Sequence, residues 1–160
     1  MKNIIWNKKK NFVIDYKSLK RDLIFRAKKS KDLRSRICIH LSKKMRIQEM
    51  IICAFDKSFM PPHRHSDNKT ESYHIIEGEM DLYIFSNVGK IVNKIKLKKK
   101  KNLNNSTFYY RSNDAKFWHM PVVKSKYCIW HEVFSGPFIK SKNIIFPKWI
   151  EKIEKNHNSY

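Results

Sequence analysis

The chain has 160 residues, and 35 Lys and Arg against 14 Asp and Glu give it a formal charge of +21 with seven His counted neutral. That length fits one domain with one core, and 41% hydrophobic with 13% aromatic residues excludes a disordered chain. The longest apolar runs, such as Met50 to Phe55, are far below the ~18–20 residues of a membrane span, and MKNIIWNKKK has no secretory h-region or cleavage site, so a cytoplasmic protein is expected.

In chain order, Ile4–Trp6 and Phe12–Ile14 are short apolar runs split by NKKKN, fit for edge strands or an arm. From Asp15 the period turns helical: Asp15 can cap, Tyr16, Leu19, Leu23 and Ala27 recur at steps of three and four, and Lys28, Lys29 and Lys31 suit the C-terminal end. One helix is predicted, about 16–29. The texture then becomes β: Ile37–Leu41, Ile47–Phe55, Ser72–Ile76, Met80–Phe85, Lys90–Leu97, Thr107–Arg111, Lys116–Met120, Tyr127–Phe134 and Ile144–Phe146 are short, rich in β-branched and aromatic residues, and separated by polar turns. Nine strands and one helix predict a sandwich or barrel. Gly89 closes a hairpin in SNVGK, Gly78 turns the chain after Ile76, and Gly136 with Pro137 ends the strand Tyr127–Phe134. Cys38, Cys53 and Cys128 are odd in number, lack CxxC spacing and sit in apolar stretches, so they read as buried reduced thiols.

The charge invites a nucleic-acid partner, and the residue types argue against one. Lys outnumbers Arg 28 to 7, whereas surfaces that read phosphates or base edges lean on the bidentate Arg fork. The run KLKKKKNLNNS at 96–106 has no aromatic residues to stack on bases and reads as a solvated loop. With 28 Lys, 20 Ile and 13 Asn, the composition is that of an AT-rich genome.

Chemistry concentrates in PPHRHSDNKTES at 61–72. His63 and His65 are separated by one residue, so on an extended segment both imidazoles face one side, about 6.5–7 Å apart along the strand. Glu71 follows a polar turn, SDNKT, and opens the next strand, where it can swing back beside them. Two imidazoles and a carboxylate are the donor set of non-haem Fe(II), with Mn, Ni, Co or Zn also accommodated. His119 in KFWHM lies on a late strand that a closed barrel would return to the first pair, and is the fourth candidate. His74 is expected on the opposite side of its strand from Glu71, and His157 lies in a polar tail.

These residues resemble the cupins, with His63, His65, Glu71 and Gly78 in the first motif and His119 in the second. Five residues separate His65 from Glu71 where three or four are usual, and Asp114 and Lys116 stand where Pro and Gly usually precede the second-motif His. A narrower resemblance, from about residue 25 to 149, rests on RSRICIH, QEM, PPHRH, KTES, IIEGEMDLYIF, FWHMPV and HEVFSGPF. It is similar to the WbuC-type cupin-fold metalloproteins of O-antigen and other surface-polysaccharide clusters. The resemblance implies a mainly β, single cupin barrel of the double-stranded β-helix or jelly-roll kind with an N-terminal helix. It divides the chain into an arm and helix at 1–34, a metal-binding barrel at 35–150 and a polar tail at 151–160.

The remaining expectations concern the surroundings of that centre. Glu132, in WHEVF where the family pattern has Glu, and Tyr73, sharing the face of Glu71, are the candidates for moving a proton. His131 alternates with Glu132 and would face away. Arg34, Arg36, His40, Gln48 and Arg64 are candidate substrate-binding groups, with Arg36 and Arg64 suited to a phosphate or sugar carboxylate. Phe117, Trp118, Trp130 and Phe134 are expected in the barrel wall and core. An enzyme with one divalent transition metal, acting on a carbohydrate or anionic nucleotide-sugar as isomerase, epimerase or oxygenase, is the leading expectation. The alternative is a non-catalytic module that binds a sugar or small anion. Cupins commonly pair through sheet edges, so a homodimer is expected.

Overall fold

The computed structural model describes residues 3–6, 9, 13–66, 69–99, 107–113 and 117–150. Most of NKKKN and of the 96–106 loop, the residues 114–116, part of the SDNKT turn, and the tail 151–160 with His157 lie outside the described residues.

Helix α1 spans Tyr16–Lys28, close to the 16–29 expected, and Asp15 caps it by accepting the Ser18 N–H at 2.8 Å. Its buried positions, Leu19, Leu23 and Ala27, follow the i, i+4, i+8 line of one helical face. The strands are β1 (Ile4–Trp6), β2 (Arg34–Cys38), β3 (Ile47–Phe55), β4 (Glu71–Glu77), β5 (Glu79–Phe85), β6 (Ile91–Lys98), β7 (Tyr109–Ser112), β8 (Trp118–Val123) and β9 (Tyr127–Ser135). A four-residue helix, α2, follows at Lys140–Asn143.

Two sheets result. One has six strands in the order β1-β2-β3-β9-β4-β7, the other three in the order β6-β5-β8. All their pairings are antiparallel except β1 with β2. Ile52, Ala54, Tyr73, Ile75, Cys128 and Trp130 of the large sheet pack against Met80, Leu82, Ile84, Leu97 and Val123 of the small one, so the main core lies between them. The back of the large sheet buries Ile37, Ile51, Cys53, Phe55 and Ile129 under α1. The back of the small sheet buries Tyr83, Phe85, Trp118 and Met120, with Ile145 and Trp149 from the segment after β9 packed on it. The architecture is thus mainly β with two facing sheets; at one end the two are linked through the bridge pair His63–His119.

Several expectations are corrected. The early strand begins at Arg34 rather than Ile37: its polar residues are accommodated because Ser35 turns its hydroxyl to the Leu23 carbonyl of α1 at 2.6 Å. β1 pairs in parallel with β2, whose first residue is Arg34. Ile144–Phe146 is not a strand; Ile145 makes one isolated bridge to Arg64. Phe117 is 59% exposed, while Trp118, Trp130 and Phe134 are buried. The three cysteines are buried and free.

Register fixes which residues share the inner face, because residues paired directly across a ladder point to the same side. One row across the large sheet reads Cys38, Met50, Glu132, Tyr73, Tyr110. The next reads Gln48, Phe134, Glu71, Ser112.

Candidate metal centre

The four residues singled out from sequence meet at the end of the sandwich where these rows finish. His63 and His65 come from the short segment before β4, Glu71 from the first residue of β4, and His119 from the second residue of β8. His63 is held against His119 by two backbone hydrogen bonds of 3.0 and 2.8 Å. The ring centroids are 5.2 Å apart for His63–His65, 4.4 Å for His63–His119 and 5.2 Å for His65–His119. Ligand nitrogens of the three imidazoles all lie within 4.8 Å of one another.

Each imidazole is oriented through its other nitrogen. Nδ1 of His63 bonds the Pro61 carbonyl at 2.9 Å, Nδ1 of His65 the Asn143 carbonyl at 2.8 Å, and Nδ1 of His119 the Phe117 carbonyl at 3.0 Å. A carbonyl can only accept, so Nδ1 carries the hydrogen in all three, and neutral rings keep a lone pair on Nε2. Glu71 places one carboxylate oxygen 3.1 Å from Nε2 of His65 and the other 3.1 Å from Nε2 of His119. Neither Nε2 makes a hydrogen bond, although both are buried. Buried nitrogens without partners carry a desolvation cost of about 1–3 kcal/mol each, and a cation shared with the carboxylate would remove it. The donor set fits a divalent transition metal: imidazoles tied at the far nitrogen to carbonyls, plus one carboxylate.

In the ion-free site the rings and the carboxylate also set one another's charge. Burial, reinforced by the charge of His119, pushes the His63 imidazolium down to about 3, so this ring is neutral at pH 7. Burial alone would lower His65 too, but contact with the Glu71 carboxylate outweighs it and raises the ring. Burial would raise Glu71; the opposing charge of His119 and the contacts with His119 and His65 hold it well below the ordinary carboxylate range.

Glu132 is on the same inner face, one row away, with Oε2 accepting the Trp130 indole N–H at 3.1 Å. Burial, then the Glu71 charge, pushes its carboxyl up to about 7. Tyr73, directly across from Glu132, is buried, and its hydroxyl is raised well above 10 by burial and by Glu71 and Glu132. His131 and His74 face the opposite side, as alternation predicts; His131 pairs with Glu49 at 2.8 Å, and His74 packs at the Phe108 and Tyr109 rings.

The five proposed substrate groups are not gathered. Arg36 shares the inner face with Ile52 and Trp130, and its charge acts on both Glu132 and Cys38. Its buried Nε has no hydrogen-bond partner. Arg34 is instead paired with Asp32 at 3.2 Å. The His40 ring sits edge-on to Trp6 at 5.3 Å, with Nδ1 2.9 Å from the backbone of Glu49. Gln48 is on the inner face, but its amide donates to the Ser42 and Met45 carbonyls. Arg64 lies over Trp118 at 4.9 Å, on the back of the small sheet: between two inward histidines, the middle residue of His-x-His must point away. Sequence reasoning missed Asn143, whose only signal was its place seven residues after the GPF turn's Gly136.

Two facing β sheets with a histidine cluster at one end make the chain a mainly β protein with a candidate metal centre. It belongs to the family described as a domain of unknown function, DUF6016, whose match covers residues 14–97, just over half of the chain and including His63, His65 and Glu71. No curated protein matches it. Among solved structures it is similar to protein SO0799 from Shewanella oneidensis, with a TM-score of 0.58 at 8% identity over 78% of this chain and 81% of that one. Similar structures also include a Cupin_2 domain of an XRE family transcriptional regulator from Enterobacter cloacae, at TM-score 0.49 and 13% identity over 66% of this chain and 98% of that one. Another is oxalate oxidase in complex with the substrate analogue glycolate, at TM-score 0.47 and 14% identity over 63% of this chain and 46% of that one. No described helix is long and apolar enough to cross a membrane.

Proposed function

We propose that the protein is a metal-dependent cupin enzyme acting on a small anionic sugar or nucleotide-sugar of lipopolysaccharide or surface-polysaccharide synthesis, by isomerisation, epimerisation or oxidation. The observation that carries the metal reading is the set of three imidazoles, each fixed at Nδ1 by a carbonyl, with the buried Nε2 atoms of His65 and His119 unsatisfied beside Glu71. His63, His65, Glu71 and His119 would hold one divalent Fe, Mn, Ni, Co or Zn ion. When bound, such an ion polarises a hydroxyl, a carbonyl or a water.

The protein groups around it support proton transfer on an anion. Glu132, with its carboxyl near 7 and its orientation set by Trp130, can hold or release a proton at neutral pH. Tyr73 stays protonated and can donate a hydrogen bond from its place between Glu71 and Glu132. Arg36, with an unpartnered Nε, is the group suited to a phosphate or carboxylate. The polysaccharide assignment rests on the WbuC-type resemblance of PPHRH, FWHMPV and HEVFSGPF, and the homodimer on the broader cupin resemblance.

Elemental analysis of protein purified without added metal tests the centre. About one equivalent of transition metal is expected in the wild type and none in His63→Ala combined with His119→Ala. Absence of metal from the wild type, with unchanged thermal stability in the double variant, would overturn the proposal. For the substrate, Arg36→Ala is expected to weaken binding of a sugar phosphate about tenfold, the loss of one charge-assisted hydrogen bond, while Arg34→Ala leaves it unchanged. Metal-dependent ligand binding with no product by mass spectrometry would instead make the chain a binding module.

A further inference from the structure

The three histidines of the centre are oriented by unlike means. His63 and His119 each use the carbonyl two residues earlier in their own segment, at Pro61 and Phe117. His65 uses Asn143, 78 positions away in the segment after β9. That segment is fastened to the histidine loop along its length. Arg64 N–H donates to the Ile145 carbonyl at 3.0 Å and Ile145 N–H donates back at 2.9 Å. Asn143 Nδ2 donates to the Ser66 hydroxyl at 3.2 Å. Farther on, Trp149 donates its indole N–H to the Asn87 carbonyl and packs on Phe85 and Trp118, at 5.3 and 6.1 Å between ring centres.

Asn143 is the hinge of this arrangement. It is 5% exposed, and its side-chain oxygen accepts the Ile139 N–H while its own N–H donates to the Ile139 carbonyl at 2.8 Å. The single turn of α2 is thus closed on itself from both sides. The last carbonyls of a helix have no partner within it, and here that of Asn143 is aimed at His65 Nδ1.

We infer that residues 137–146 form a strap that sets the His65 imidazole from outside the β core, with Asn143 as a positioning residue for the metal centre. It acts through His65 and touches neither ion nor substrate. The inference rests on the metal-centre reading above, and two readouts keep the two apart. In the first, full-length protein is titrated with Co(II). Asn143→Ala keeps the carbonyl behind His65 but removes the side-chain bonds to Ile139 and Ser66 that aim it, so it is expected to weaken Co(II) binding about tenfold, the low end of the effect of disturbing a partner behind a ligand, and to change the visible Co(II) absorption spectrum. Asn143→Asp, which keeps the acceptor for Ile139, is expected to keep the wild-type spectrum. Leu23→Ala, in the helix core away from the centre, is expected to lower thermal stability and leave the spectrum unchanged. In the second, on metal-free protein, NMR follows exchange of the His65 Nδ1 proton, expected slow in the wild type and fast in Asn143→Ala. Wild-type Co(II) affinity, spectrum and slow exchange in Asn143→Ala would overturn the inference, as would an equal spectral change in Leu23→Ala. If the wild type takes up no Co(II), the metal reading falls and the exchange of the His65 proton decides the strap alone. Should Asn143→Ala fail to fold, Asn143→Ser is read in its place with the same expectations.

Discussion

Protonating Glu77 is expected to loosen helix α1 from the large sheet. The carboxylate accepts a hydrogen bond from Lys20 Nζ at 2.7 Å and one from each of the Tyr16 and Tyr127 hydroxyls at 2.5 Å. Lys20 and Tyr16 belong to α1 and Tyr127 to β9, so one acidic group joins three elements. Burial on its own would raise the carboxyl; Lys20, Tyr127 and Tyr16 outweigh it and hold the group down to about 2, against an ordinary 4.5. Between pH 4.5 and 2, therefore, the unfolded chain binds a proton that the native state does not, and stability falls as the pH falls. The contribution is fully present above about pH 4.5 and is lost as the pH passes through the folded value. At ~1.36 kcal/mol per pKa unit the shift corresponds to about 3 kcal/mol. Lys20 is 34% and Glu77 24% exposed, and solvent screening reduces this to about 1–2 kcal/mol. Urea unfolding of wild type and Glu77→Gln at pH 7 and pH 2 measures it. The wild type should be more stable by that amount at pH 7, and the two should converge at pH 2. An equal difference at both pH values would show that the carboxylate charge is not what seats the helix.

Two other sites give independent tests. Gly78 has φ +89°, and a Cβ there would lie 2.3 Å from the Tyr127 carbonyl oxygen and 2.9 Å from Cys128 Cα, both backbone atoms of β9 that cannot swing aside. Gly78→Ala is expected to cost on the order of 2–4 kcal/mol from left-handed strain plus overpacking; an unchanged melting temperature would refute it. Glu132 has the opposite sign from Glu77, because its carboxyl is raised to about 7. Between pH 4.5 and 7 the native state keeps a proton that the unfolded chain has lost, so stability falls as the pH rises and the penalty is complete above about pH 7. In metal-free protein, Glu132→Gln should be more stable than wild type by on the order of 1–3 kcal/mol at pH 8 and equal to it near pH 4.5, as read by urea unfolding.

What was legible in the sequence divides along physical lines. Periodicity and capping are local, so α1 and strands such as Ile47–Phe55 follow from the residues themselves. The histidine pair, Glu71 and His119 were legible as donors, and alternation already separates His131 from Glu132. The same alternation, applied to His-x-His, turns Arg64 outward, where Trp118 receives it. Long-range partners leave no such trace. Nothing near His40 announces Trp6, nothing near Arg34 distinguishes a surface ion pair from a substrate contact, and the bond from His65 to Asn143 spans the greater part of the β fold. Net charge was the least informative property: the centre is built from three imidazoles and one carboxylate, and the +21 says nothing of where they meet.

The placement of Glu77 shows why alternation alone cannot finish the assignment. Counting by twos from Glu71 puts Tyr73, Ile75 and Glu77 on one face. Tyr73 and Ile75 obey and join the core between the sheets. Glu77 would then meet Met80, Leu82 and Ala54, an apolar layer in which an unpaired carboxylate could not stay ionised. The ladder between β4 and β9 shifts register between Ile75 and Glu77, so that Ile75 opposes Trp130 while Glu77 opposes Ile129. Ile129 faces α1, and so does Ile76. One extra residue in β4 thereby gives two successive side chains to the helix side, as a β-bulge does. The bulge lets a single strand serve both surfaces: its first half carries Glu71 to the histidines, and its last residue carries Glu77 to Lys20 and the two tyrosines. Gly78 then reverses the chain at once, in a conformation that leaves room for the backbone of β9. The bulge therefore sets the helix anchor separately from the metal centre: a slip that restored strict alternation would bury Glu77 away from its partners without moving Glu71.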